Sequence, residues 1–190
     1  VFVILITKNL YASTYSSDPQ FFVEELVNDA ISKLSDKNIN DEDKENFVEQ
    51  IALENVDINA LGLYTLGELR KSTDEIILKK YQNAFEKYFL KSLTSRLTDY
   101  SSNKFEIISA EKKSSNYTIV KSKIAKSENQ PEIKIDWRIY TKNPQKPLIR
   151  DLIVEGLSLA RTQKEEFSSI LSSNNNDINF LIKQLEEFVK

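Results

Sequence analysis

Three carboxylates have the type and placement needed for acid and base chemistry. Asp136, Asp151 and Glu155 lie beside apolar positions of predicted strands. A buried pair of carboxyl groups can exchange protons with a substrate, as happens in small hydrolases and isomerases. Alternatively, Asp136 or Asp151 pairs with Arg138 or Arg150, and such pairing is a common structural use of carboxylates. The residues leave both interpretations open and favour the structural one.

The composition removes most other catalytic chemistries. The chain has no Cys and no His, which excludes thiolate nucleophiles, His-assisted serine triads and zinc sites built on thiolate or imidazole. We therefore predict no catalytic residues, no metal site and no cofactor. The net charge of -3 and the pI near 5.3 argue against a protein that binds nucleic acid through a basic surface.

An aromatic stripe is the other feature that could bind a ligand. Tyr81, Phe85, Tyr88 and Phe89 recur at helical spacing within a long helix predicted from Thr73 to about Tyr100. Such a stripe is typical of an ordinary core. Because a phenol combines an apolar ring with a polar tip, the tyrosines also suit the wall of an amphipathic pocket.

Four segments have the patterns of β-strands. They are Phe105–Ile108, Tyr117–Ile124, Ile133–Tyr140 and Leu148–Glu155. In the third, Ile133, Ile135, Trp137 and Ile139 alternate with polar residues, which indicates a sheet with one apolar face. Short turns between the strands predict an antiparallel meander. The pattern of the fourth segment leaves open which sheet face meets a pocket.

Helices are predicted before and after these strands in the sequence. Asp18-Pro19 begins a helix over Pro19–Ser35, Asp41 begins one that ends near Glu54, and Asp57 caps a short segment that reaches Gly67. A last helix spans Ile178–Val189. Elements in this order predict an α+β fold, in which a four-stranded antiparallel sheet is wrapped by N- and C-terminal helices.

The segment after the fourth strand connects the sheet to the last helices. Gly156 predicts a bend or a close approach of the backbone. The run Thr162-Gln163-Lys164-Glu165 has the form of a capping box, which predicts a helix start there.

The first residues, V-F-V-I-L-I-T-K-N-L-Y-A, are typical of the apolar and cleavage regions of a secretory signal. We expect residues 1–12 to be part of such a signal and residues 13–190 to form a single domain. A buried N-terminal strand is the alternative. No apolar run reaches the roughly 18 residues of a membrane span.

Two sequence motifs together resemble the MlaC-type periplasmic phospholipid-binding proteins, also called the toluene-tolerance family. The first is D-W-R at Asp136–Arg138, followed by D-L-I-V-E-G-L-S-L-A-R-T-Q-K-E-E-F at Asp151–Phe167. The second is V-D-I at Val56–Ile58, followed by L-G at Leu66-Gly67.

The resemblance implies a periplasmic protein that shuttles phospholipid in an apolar pocket between its helices and its sheet, and that performs no covalent chemistry. Its implied partners are an outer-membrane lipoprotein–porin complex and an inner-membrane ABC transporter with an MCE-domain ring. From the predicted faces we expect the glycerophospholipid tails to contact Tyr81, Phe85, Tyr88, Phe89, Ile119, Ile135, Trp137 and Ile153. The alternatives are a small NTF2-like hydrolase or isomerase, and a protein-interaction module that binds no lipid.

Overall fold

The computed structural model describes residues 15–97, 104–126 and 131–190. The expected signal segment, the predicted helix end at Tyr100 and most of the turn predicted at 127–131 lie outside these ranges.

The N-terminal helices begin where capping residues predict. Helix α1 spans Pro19–Ser35, and the Asp18 carboxylate accepts hydrogen bonds from the first free backbone N–H groups. Asn40 caps α2, which spans Asp41–Asn55, and Asp57 caps α3, which spans Ile58–Thr65. Each cap satisfies donors that have no partner within the helix. A 3-10 helix over Gly67–Lys71 follows α3.

The longest helix, α4, spans Glu75–Leu97. Its start is set by Asp74, whose Oδ1 accepts hydrogen bonds from the N–H groups of Ile76 and Ile77. The helix therefore begins two residues after the Thr73 start that the pattern predicts, because the Asp74 side chain provides the cap.

The sheet is antiparallel throughout. Its strands are β1 (Phe105–Lys112), β2 (Tyr117–Ile124), β3 (Ile133–Tyr140), β4 (Leu148–Val154) and β5 (Leu157–Ser158), and they are neighbours in that order. The prediction of four strands is corrected to five. Glu155 and Gly156, with φ of +49° and +82°, make a two-residue turn that folds Leu157-Ser158 back onto β4. A strand of two residues is too short to show an alternating pattern.

Helix α5 spans Leu159–Ser173, so the helix start predicted at Thr162 is wrong. Ser158 caps the helix by accepting from the Arg161 N–H at 3.1 Å, and Thr162 lies inside the first turn with its hydroxyl bonded to the Ser158 carbonyl oxygen. Helix α6 spans Ile178–Val189, as predicted, behind the cap Asp177.

Two hydrophobic clusters hold these elements together. One packs α1 against the sheet and includes Phe22, Val120 and Trp137. The other joins α3, α4, α5 and α6 and includes Tyr81 and Phe85. None of the described helices combines the length and the apolarity needed to cross a bilayer.

Candidate functional site

The two faces of the sheet have different surroundings. Residues that are partners on adjacent strands share a face, so Val120, Trp137 and Leu152 lie together on one side. We call this the α1 face, because Phe22 and Val23 of α1 pack on it. The opposite side carries Ile119, Arg138 and Asp151, which are likewise cross-strand partners. We call it the α3 face.

The α1 face is filled. Phe22, Val23, Val120 and Ile139 are fully buried there. Trp137 is also buried, and its indole N–H donates to the Ser122 hydroxyl at 2.9 Å. The side chains of α1 occupy the space beside the strands, so this side of the sheet is closed core.

The α3 face borders a cavity of about 170 Å³ between the sheet and helices α3 and α5. The helices contribute apolar side chains and one tyrosine, and the sheet contributes polar groups. The lining residues are Ala60, Leu61, Tyr64 and Ala160 from the helices and Tyr117, Arg138, Arg150 and Asp151 from the strands. The cavity is therefore amphipathic.

Arg150 ties α3 to the sheet at this cavity. Its Nε donates to Asp57 Oδ2 at 2.8 Å, its Nη2 lies 2.7 Å from the same oxygen, and its Nη1 donates to the Tyr117 hydroxyl at 2.7 Å. The guanidinium also lies 3.4 Å from the centre of the Tyr140 ring. Partial burial lowers the pKa of Arg150, but the hydrogen bonds that its guanidinium donates to Tyr117 and Asp57 outweigh this effect and raise the pKa overall. The side chain is a fixed, charged connection between two layers.

The aromatic stripe of α4 lies behind α3, in the helical cluster. Phe85 is at its centre, with ring centroids 6.0 Å from Tyr81, 6.3 Å from Tyr88, 6.2 Å from Phe89 and 6.2 Å from Phe167. A Cβ built on Gly62 of α3 would lie 2.9 Å from Phe85 Cδ1, so glycine permits this close approach. Leu61 packs against this cluster and also lines the cavity, so one side chain contacts both.

The chain is similar to known proteins in both sequence and fold. The profile of the MlaC protein family matches residues 24–187, which is most of the chain. The chain belongs to the MlaC family. A solved phospholipid-binding protein from Ralstonia solanacearum, in complex with a phospholipid, superposes with a TM-score of 0.73 at 17% identity, over 90% of this chain and 96% of that one. That likeness shows a shared fold. No curated protein sequence matches the chain significantly.

The residues that resemble the MlaC motif build the junction between the sheet and α5. The buried Asp151 carboxylate accepts from the Ser158 hydroxyl at 2.6 Å and from the Ala160 N–H at 3.0 Å. Glu155 and Gly156 form the turn, and a Glu155 carboxylate oxygen accepts from the Lys134 N–H. Each of these residues has a structural task, so the motif identifies how the MlaC fold is assembled.

The second half of the motif connects α5 to the helical cluster. Gln163 Oε1 accepts from the Tyr88 hydroxyl at 3.1 Å, and Phe167 is buried against Phe85 and Tyr88. Lys164 lies 5.1 Å from the centre of the Tyr64 ring. A further cavity, of about 350 Å³, lies between the 3-10 helix and α5 and includes Gly67, Glu68 and Ser168 in its lining.

The structure does not bring the eight predicted lipid contacts into one pocket. Tyr81, Phe85, Tyr88 and Phe89 belong to the helical cluster, as core members or packed against it. Ile119 and Ile153 lie on the α3 face, since their cross-strand partners are Arg138 and Asp136. Ile135 and Trp137 lie on the α1 face and pack with α1. Alternation along β3 predicts correctly that Ile135 and Trp137 share an apolar face, but it carries no information on which face adjoins the cavity.

The carboxylates considered for catalysis are used in different ways. Asp151 is bonded to the start of α5 and lies 4.0 Å from Arg138, whereas Arg150 pairs with Asp57 instead. Asp136 lies opposite Lys121 and Ile153. Glu155 is occupied by the Lys134 backbone at the turn. The expected structural pairing of Asp151 with an arginine is therefore present, through Arg138.

Sequence reasoning missed the pairing that organises the cavity. Asp57 was recognised as a helix cap, but Arg150 and Tyr117 were not connected with it. Two signals in the sequence point to this pair. The motif V-D-I contains Asp57, and Arg150 interrupts the alternation of its strand, which indicates a charged side chain that needs a partner.

Proposed function

We propose that this protein binds glycerophospholipid and carries it through the periplasm, between an outer-membrane lipoprotein–porin complex and an inner-membrane MCE-domain ABC transporter. The observation that carries the proposal is membership of the MlaC family, joined to the fold shared with a phospholipid-binding protein solved with its ligand. The amphipathic cavity on the α3 face supports it with a site of suitable chemistry.

In this proposal the tails lie between the α3 face and the helical cluster. Ile119 and Ile153 contribute from the sheet, and Phe85 and Phe89 contribute from α4. Two acyl chains of about 16 carbons gain roughly 25 kcal/mol on leaving water, at ~0.8 kcal/mol per methylene. A membrane provides a similar gain. The protein must therefore surround both chains for the free energy of transfer from membrane to protein to be close to zero.

The cavity as it stands is too small for that. Its volume of about 170 Å³ lies below the roughly 300–1,000 Å³ of pockets that enclose a drug-sized ligand, and two acyl chains are larger than such a ligand. Uptake of two chains therefore requires α3 to move away from the sheet or from α4. Leu61 and the Arg150–Asp57 pair lie at the point where these layers separate.

Lipid uptake from vesicles tests the binding step. The protein is mixed with vesicles that contain a fluorescent phosphatidylglycerol, reisolated by gel filtration, and assayed for bound lipid. We expect about one phospholipid per chain, and faster transfer of the lipid from donor to acceptor vesicles when the protein is present. Protein that stays free of lipid and leaves the transfer rate unchanged would refute the proposal.

A further inference from the structure

One wall of the cavity on the α3 face carries hydrogen-bond donors opposite an apolar wall. Leu61 and Ala160 lie on the helix side. The sheet side carries Arg138, Arg150 and Tyr117, together with the carboxylate of Asp151. A ligand that fits both walls has an anionic group attached to an apolar stem.

Arg150 contributes a charge that is held in place while α3 packs on the sheet. Its Nε, Nη1 and Nη2 are all engaged by Asp57 and Tyr117, and its plane rests on Tyr140. Because the Tyr117 oxygen accepts from Arg150, its own proton remains to be donated to another acceptor.

Arg138 is differently placed. Its side chain is 48% exposed, and its one ion pair within the described part of the chain is with Asp151 Oδ2 at 4.0 Å. That distance is too long for a hydrogen bond. Asp151 is already bonded to the Ser158 hydroxyl and the Ala160 N–H. The guanidinium of Arg138 therefore keeps donors for a ligand at the open side of the cavity.

We propose that Arg138 and Tyr117 form a binding site for a phosphate group, with Arg138 donating from its planar fork and Tyr117 from its hydroxyl. Planar, bidentate donation is the geometry by which arginine binds phosphate oxygens. The identification of the ligand as a phospholipid rests on the proposed function. With that ligand, the headgroup phosphate lies beside Arg138 and the acyl chains lie beyond Leu61. All glycerophospholipids carry this phosphate, so the contact holds the headgroup without selecting among headgroups.

Arg138→Gln tests the site, and Lys134→Gln is its matched control. Lys134 lies on the same strand and the same face, is exposed, and carries the same charge. Two probes with identical labelled acyl chains are compared: phosphatidylglycerol, and diacylglycerol, which has no phosphate. We expect Arg138→Gln to weaken phosphatidylglycerol binding about five-fold, as for a half-exposed ion pair, and to leave diacylglycerol binding and the melting temperature unchanged. Arg138→Lys keeps the charge and loses the planar guanidinium. We expect its affinity for phosphatidylglycerol to lie between those of the wild type and Arg138→Gln.

Inorganic phosphate provides a second binding experiment that does not depend on lipid. Calorimetric titration of wild type, Arg138→Gln and Lys134→Gln shows whether free phosphate binds, and whether it needs Arg138. Phosphate binding that Arg138→Gln abolishes, in a protein that takes up no phospholipid, would support the site while refuting the carrier function. If Arg138→Gln and Lys134→Gln are equivalent in both experiments, or if Arg138→Gln weakens diacylglycerol binding equally, the phosphate site is overturned.

Discussion

Gly156 shows how a single backbone position determines the junction between the sheet and α5. Its φ is +82°, and a Cβ at this residue would have no neighbour within 4 Å. A substitution therefore costs only backbone strain. We expect Gly156→Val to lower the free energy of unfolding by about 1–2 kcal/mol, because a β-branched residue is strained at positive φ. Gly156→Asn is the control and should cost less, since Asn tolerates this region. Equal urea midpoints for the two variants would contradict the argument.

Tyr81 gives a pH dependence that follows from its burial. Burial raises the pKa of its phenol well above the ordinary value, and its hydroxyl lies 2.6 Å from Thr65 Oγ1. Burial, followed by the hydrogen bond to Asp29, raises the pKa of Tyr15 as well. Below a pH of about 10, both the folded and the unfolded chain keep these protons. Above it the unfolded chain releases them first, so stability falls with rising pH. The fall is up to ~1.4 kcal/mol per pH unit for Tyr81, and smaller for Tyr15, which is only partly buried and screened by water.

The measurement is the free energy of unfolding between neutral pH and strongly alkaline pH. Tyr81→Phe removes one titrating group, so its stability should fall less steeply than that of the wild type above pH ~10. Identical slopes would mean that Tyr81 ionises in the folded protein as readily as in the unfolded chain.

Between elements, the Asp57–Arg150 pair fixes the distance of α3 from the sheet. Both side chains are partly buried, at 18% and 25% exposure, so water screens the pair less than a surface pair. Asp57→Asn keeps a good helix cap while it removes the charge. We expect a double-mutant cycle with Arg150→Gln to give a coupling energy of about 1–2 kcal/mol. The exposed pair Arg161–Glu165 is the control and should give about 0.3–0.5 kcal/mol. Equal coupling in the two cycles would contradict the role of the pair.

The sequence predicted the elements whose signals are local. Asp18-Pro19 and Asp177 set the starts of α1 and α6, and periodic apolar residues continue each helix to its observed end. Ser158 was missed as a cap because Thr162 offers the same chemistry in a more familiar motif. Which of the two is used depends on the turn at Glu155-Gly156, which places Ser158 at the helix start.

The faces of β4 could not be predicted because the strand contains an irregularity. Arg138 pairs with Asp151 while Ile139 pairs with Ile149, so Arg150 is an extra residue between them. The extra residue puts Ile149 on the same face as Leu152, although simple alternation assigns them to opposite faces. The Arg150–Asp57 bond itself joins residues 93 positions apart, and no local pattern reports such a contact.

At the scale of the whole molecule, the two faces of the sheet should respond differently to substitution. Trp137→Phe removes the indole bond to Ser122 within the closed core. We expect it to lower stability by about 1–3 kcal/mol and to leave the amount of bound lipid unchanged. Ile119→Asp places a charge on the α3 face at a partly exposed position, where folding tolerates it and an acyl chain does not. It should reduce lipid uptake severalfold at nearly unchanged melting temperature. Loss of bound lipid in Trp137→Phe, with unchanged lipid uptake in Ile119→Asp, would instead place the tails on the α1 face.

The central claim is that the folded protein holds a phospholipid, and native mass spectrometry tests it most directly. The chain is exported to the periplasm of a Gram-negative host, purified without detergent, and measured intact and after lipid extraction. We predict a mass increase equal to one glycerophospholipid per chain, with several headgroup types in the extract and Ile119→Asp largely free of lipid. Folded wild-type protein that carries no phospholipid, and acquires none from vesicles, would contradict the claim.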